Sequence, residues 1–432
     1  MSTSKAKLVS RHRRSNANIY QNSIYMQIKS MNPFEAEARV AVDALRSALA
    51  DLLSDVHGDP AQPQEMARRF GLDKTLTWKI SRVICDDDSL SAAMHVPGRA
   101  SVQALVSAMS RGGAMATRTK SVIAAMDRFE QFVETHCGDR STFEVMLGGS
   151  AGAVSRKRAE ASRKMFYQGA SAIWGVQARV HVSLHFVAPN AREEDRLDLA
   201  VVAGFLGFRR LRPEVSWTVA AMATLADEGV PVPHRDIRPM DPKLSPGDAP
   251  LLAEFCSAPL PELRRNTRRK NITRYELTEG PIGITAAADC ITGWVARGEV
   301  NRYRAPDDHL GEHIVRLSTP VTVLYHDLYV HRDLAFAMKP TVHVYSDLPG
   351  GPIFPIDGLD RGRLPIAEEM VDLGEGPPSV AAADIAHYRA MVLTAVKSLG
   401  RELGDFHGFR FRMKYPPVPA QALYRYELPE RG

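Results

Sequence analysis

The sequence predicts an α+β fold in which an all-helical N-terminal domain precedes a larger mixed α+β body, and three observations carry that expectation. Apolar residues recur at helical spacing through roughly the first 140 residues. Alternation of period two begins at Val176 to Val187 and returns towards the C-terminus. Two Pro/Gly-rich connections, Pro231 to Pro250 and Pro349 to Pro365, separate later elements of mixed type. The 432 residues, 44% hydrophobic and 24% charged, suit a globular chain of about two or three domains. That balance excludes collagen, coiled coil and wholesale disorder. The longest apolar run, Leu199 to Phe208, is too short to cross a bilayer, so no membrane partner is expected.

Residues 1–34 hold Lys5, Lys7, Arg11, Arg13, Arg14 and Lys29 and no Asp or Glu. Of the formal net charge of +5 this arm supplies +6, which leaves the rest near neutral. The arm reads as disordered. It could follow a phosphate backbone, serve as a transit peptide, or be an extension upstream of a start at Met31. Cys85, Cys137, Cys256 and Cys290 lie far apart with no C-x-x-C pair, so a zinc finger is unsupported and free thiols in a reducing cytoplasm are expected.

Within the helical domain, 35–140, Val42, Leu45, Leu49, Leu52, Leu53 and Val56 mark an amphipathic helix over Glu35 to Val56. His57-Gly58-Asp59-Pro60 breaks it, and Gln62 to Ile84 reads as a compact helical pair. Cys85 to Ser89 suits a turn and a helix cap, with further helices at Ala100 to Met109 and Lys120 to His136. The body, 145–432, reads as one domain or two subdomains. It opens with a basic helix over Val154 to Trp174 and a strand over Val176 to Val187. There Val180, Val182, Leu184 and Phe186 alternate with Arg179, His181, Ser183 and His185, which predicts one buried face. Strands are expected at Val321 to Val330, Thr341 to Tyr345 and Gly408 to Tyr415, with a helix over Ala382 to Leu403.

The helical pair carries the most specific pattern. Ala67 is small where two helices must cross closely, and Gly71, four residues on, accepts the positive φ of a tight turn. Met66, Phe70, Leu72, Leu76, Ile80 and Val83 supply an apolar seam, and Pro63 fits a first helical turn. Over residues 63–84 this resembles the helix-turn-helix DNA-binding family. The resemblance implies that Lys74, Thr75, Trp78, Lys79 and Arg82 face the groove of double-stranded DNA while Arg68 and Arg69 meet phosphates. Two features depart from the family pattern: Thr77 stands where a larger aliphatic residue is usual, and Trp78 would be exposed. Asp86 to Asp88 would repel phosphates unless turned away. A helical hairpin packed inside a larger domain is the alternative.

Two further basic clusters stand out. Arg156, Lys157, Arg158, Arg163 and Lys164 fall on one predicted helix, and Arg264, Arg265, Arg268, Arg269, Lys270 and Arg274 are expected on a mobile loop. His309-Leu-Gly-Glu312-His313 matches the inverted zincin pattern: on a helix His309 and His313 would bind zinc together with Glu312 as base, and Glu368 or Glu369 could supply the third ligand. The same peptide could equally be a polar strand. His326 and Asp327, adjacent on a predicted strand, would face opposite ways. His331-Arg-Asp333 lacks the companions of a kinase loop. Gly148 to Gly152 lacks the Lys of a phosphate loop and reads as a connector, and with no dinucleotide fingerprint no cofactor is expected. The preferred expectation is a cytoplasmic, oligomeric DNA-binding protein, a transcriptional regulator whose body senses or assembles. The alternatives are a zinc hydrolase and a self-assembling protein whose helix pair has lost DNA contact.

Overall fold

A computed structural model describes residues 33–150, 156–225, 231–232, 237–245, 247–269, 272–306, 309–347 and 362–431. Nearly all of the basic arm and most of the Pro349 to Pro365 connection lie outside these residues. The chain divides into two compact units, 1–154 and 155–432. Helices dominate the first and mixed sheets the second, an α+β fold.

The first unit is built around α1 (Pro33–Asp55), which buries Phe34, Ala38, Val42, Leu45, Leu49 and Leu52 along one face. That helical stripe is what the sequence spacing encodes. It packs along α6 (Ala116–Cys137). Between them in the chain come α2 (Pro63–Phe70), α3 (Lys74–Cys85), α4 (Ser89–Ala93) and α5 (Arg99–Arg111), and α7 (Arg140–Ser150) follows α6. The expected connector at Gly148 is helical as far as Ser150, and its remainder lies outside the described residues.

The second unit opens with α8 (Arg156–Trp174), then β1 (Val176–Pro189), β2 (Arg196–Arg210), β3 (Trp217–Leu225), β4 (Pro231–Val232), β5 (Ile237–Pro239), β6 (Leu263–Arg269) and β7 (Ile272–Leu277). It continues through β8 (Ala288–Asn301), β9 (Leu310–Leu317), β10 (Val321–His331), β11 (Thr341–Ser346), β12 (Val371–Glu375), α9 (Tyr388–Ser398), β13 (Phe406–Lys414) and β14 (Ala420–Glu427). A seven-stranded sheet runs β12-β13-β10-β1-β2-β8-β5, with β1 parallel to β10 and the other pairs antiparallel. Beside it are a three-stranded sheet, β11-β14-β9, and a four-stranded one, β4-β3-β7-β6.

Strand β1 is covered on both faces, which corrects the expectation of one. Val180, Val182, Leu184 and Phe186 join the core beneath α9, while Val187 joins the core shared with β9 and β14. His181, Ser183 and His185, on that second side, are therefore buried as well. Helix α9 is shorter than its expected span. Ala382 to His387 forms turns, and Gly400, at φ 69°, lets the Arg401 N–H donate back to the Val396 carbonyl and stops the helix. Arg264, Arg265, Arg268, Arg269 and Arg274 lie on the paired strands β6 and β7 rather than in a loop, in register Leu263 to Leu277 and Arg264 to Glu276, anchored by buried Tyr275 and Leu277, while Lys270 lies outside the described residues. The Pro231 to Pro250 connection likewise contains two short strands, β4 and β5.

Candidate nucleic-acid interface

Helix α2 starts with Pro63 in its first turn and ends at Gly71, whose φ of 65° and ψ of 36° are left-handed. A Cβ there would meet nothing within 4 Å, so the glycine is required by its dihedrals and not by crowding. The turn closes when the Leu72 N–H donates to the Ala67 carbonyl at 3.0 Å. Asp73 then caps α3, its carboxylate accepting the N–H of Thr75 at 2.8 Å and of Leu76 at 3.1 Å. The Leu76 amide, with Thr75 behind it, holds the Asp73 carboxyl below the usual carboxylate range.

From this start α3 turns Leu76, Thr77, Ile80 and Val83 inward. The Arg46 Nε–H of α1 donates to the Val83 carbonyl at 2.9 Å and holds the helix from beneath. Thr77, the departure from the family pattern, is sealed, and its hydroxyl donates to the Lys74 carbonyl at 3.1 Å. A buried hydroxyl satisfied within its own helix costs little, which accounts for threonine at a core position.

The opposite side stays open. Lys74, Thr75, Trp78 and Arg82 are exposed and Lys79 is half-buried. Trp78 keeps 48% of its surface exposed, its ring edge-on to His95 with centroids 5.2 Å apart. On this face the ion pair is Arg82 to Asp86 at 3.3 Å, while Arg68, Lys74 and Lys79 take part in none among the described residues. Arg69 is committed elsewhere: it donates to the His57 carbonyl at 2.9 Å and lies over the Phe70 ring. A cleft of about 900 Å³ opens beside the turn, bordered by Pro63, Gln64, Arg68, Leu72 and Lys74.

The acidic run after α3 is largely occupied. Asp88 caps α4 through the amides of Leu90 and Ser91 and pairs with Arg39 at 2.7 Å. Asp86 accepts from the Ser91 hydroxyl at 2.8 Å as well as from Arg82. Charge is also unevenly placed. Residues 63–85 carry five Lys or Arg against two Asp or Glu, whereas the rest of 35–154 carries eight against fourteen. Within residues 35–154, which are net acidic, the cations thus gather on one helix pair.

The histidine segment is different from the zinc expectation. Residues 310–317 form β9, not a helix, so His309 and His313 cannot share a helical face. Glu312 is ion-paired with Arg425 at 2.7 Å, and Glu368 with Arg163, so neither is poised as a base or third ligand. Gly311 is there because the Tyr426 ring lies where its Cβ would be. Among the described residues no three His, Cys, Asp or Glu side chains are grouped to hold a metal ion.

What the body does assemble is a buried histidine group that the linear spacing did not show. The His185 ring lies 5.1 Å from His326 and 5.7 Å from His313, centroid to centroid. His326 sits with Nε2 3.1 Å from the His313 carbonyl oxygen and Nδ1 3.4 Å from that of Ser183, and His313 Nε2 meets the Tyr426 hydroxyl at 3.0 Å. Burial pushes His326 down to about 4 and His181 and His313 to about 3, which favours the neutral rings, and Nδ1 of His181, His185 and His313 is buried without a hydrogen-bond partner among the described residues. On the other side of β10, as the alternation requires, Asp327 is fully buried and receives the Arg410 guanidinium at 2.7 Å and the Tyr388 hydroxyl. Arg410 lies over the Tyr325 and Tyr388 rings, 5.1 and 4.8 Å from their centroids. The period-two reading of 321–330 separates these two residues correctly; their partners come from distant strands.

Comparison with protein-family models, with characterised proteins and with solved structures finds no match.

Proposed function

We propose that residues 63–85 bind double-stranded DNA, with α3 in the major groove, and that the chain is a transcriptional regulator whose 155–432 body senses a ligand or assembles. The observation that carries this reading is the division of α3: its apolar side is sealed by Leu76, Ile80 and Val83, while Lys74, Thr75, Trp78 and Arg82 stay exposed and Lys79 is half-buried beside them. Lys79 and Arg82 suit guanine O6 and N7, Thr75 suits a thymine methyl, and Arg68 suits a phosphate. Arg69, held by the His57 carbonyl, would contribute less than the family pattern implies. A duplex would draw Arg82 away from Asp86, since a phosphate offers a second anion to the same guanidinium.

One helix reads few base pairs, so the active species in this reading is a homo-oligomer presenting two helices to two half-sites. Four free thiols accord with a cytoplasmic setting. Selection of duplexes from genomic fragments by the full chain, at several salt concentrations, tests the proposal. Recovery of a shared sequence is expected, and light scattering on the same sample should give more than one chain per particle. Recovery of only unrelated fragments, with binding that vanishes at moderate salt, would remove sequence-selective DNA binding.

A further inference from the structure

Trp78 is out of place on a polar helix face. It stands at the middle of α3 between Thr75 and Lys79, with about half of its surface uncovered and its ring direction set by the edge contact to His95. Burying an indole is worth more than burying any other side chain on this face, and among the described residues about half of it stays uncovered. Lys74, Lys79 and Arg82 lie on the same helix, so an occupant with an anionic rim and an apolar group at its centre suits this face.

A duplex major groove meets both conditions in only one way. Its phosphates lie at the rim, and the apolar group on its floor is the C5 methyl of thymine. We infer that Trp78 is a specificity-determining residue that selects thymine, its indole edge covering the 5-methyl group while Lys74 and Lys79 engage the flanking phosphates or guanines. This rests on the DNA-binding reading above and gives it a base preference.

Deoxyuridine differs from thymidine by that methyl alone, so the test exchanges the two at each thymine of a selected duplex and compares the full-length protein with Trp78→Ala. Burial of one methyl predicts about a fourfold loss of affinity for the wild type at one position. In Trp78→Ala the same exchange should cost nothing there, and Trp78→Phe should retain part of the effect. A thymine whose penalty falls in Thr75→Ser is one read by Thr75, whereas the thymine read by Trp78 should keep its penalty in that variant. If the penalty persists unchanged in Trp78→Ala, or if the wild type shows none at any thymine, the inference is overturned while DNA binding stands. If the wild type retains no duplex selectively, both fall together, because Trp78 then has no groove to enter.

Discussion

The two units handle polar groups in opposite ways. In the helical unit the charged side chains of α3 are left in water above a sealed apolar face, and Lys74 and Lys79 take part in no ion pair among the described residues. In the body, Asp327, His326, His313 and His185 are taken inside and each is met by groups from distant strands or, for the histidines, kept neutral. The difference teaches where to look for function. A buried charge with every partner supplied by the fold has its geometry used up in specifying that fold. An exposed cationic face among the otherwise acidic residues of 35–154 has its interactions still to make.

The sharpest way to break this contrast is acid. His181, His185, His313 and His326 all have folded-state values depressed by burial from an ordinary value of 6.5. Between pH 6.5 and about 4 the unfolded chain therefore holds more protons than the folded one, and stability falls as pH falls; above that window these residues add no pH dependence. The slope is about 1.4 kcal/mol per pH unit for each histidine that stays neutral, so the body should lose several kcal/mol. Denaturation followed between pH 7 and pH 4 by the fluorescence of Trp217 and Trp294 checks this. A body equally stable at both ends would mean that the histidines are reached by water.

Next in size is Arg410→Met, which strands Asp327 in the core. A cost of about 3–5 kcal/mol is expected in denaturant unfolding, the penalty for an unpaired buried charge. Changing Asp327→Asn together with Arg410→Met should recover much of it. On the helical side the effects concern binding. Lys74→Ala with Lys79→Ala should weaken retention of a selected duplex at least about tenfold and lower the salt slope by up to about two, with folding unchanged. Smallest is Gly71→Ala, expected to cost about 1 kcal/mol through its left-handed dihedrals alone, since the added methyl meets no atom.

The helix pair was legible because each of its signals is local: Pro63, Ala67, Gly71 and the apolar seam act within a few turns, and the observed ends, 63–70 and 74–85, match them. Asp73 could have been added from the same rule, as a capping residue directly before the helix. The 309–313 motif misled because a spacing of four suits a helix and is also compatible with a strand. The alternation of Gly311, His313, Val315 and Leu317 inward with Glu312, Ile314 and Arg316 outward was the better guide. The β6–β7 pairing was hidden by its arginines, whose charge resembles a loop while Tyr275 and Leu277 carry the packing. The histidine group could not be read from the chain at all, because its members come from β1, β9 and β10 and meet only when three strands are placed.

The most direct measurement of the central claim is the ratio of affinities of the full-length protein for a selected duplex and for a shuffled one of equal composition. The wild type should prefer the selected duplex, and Lys74→Ala with Lys79→Ala should bring the ratio towards one while leaving the helical circular dichroism unchanged. A wild-type ratio of one, or a preference that survives the double substitution intact, would contradict the assignment of the open face of α3 to DNA.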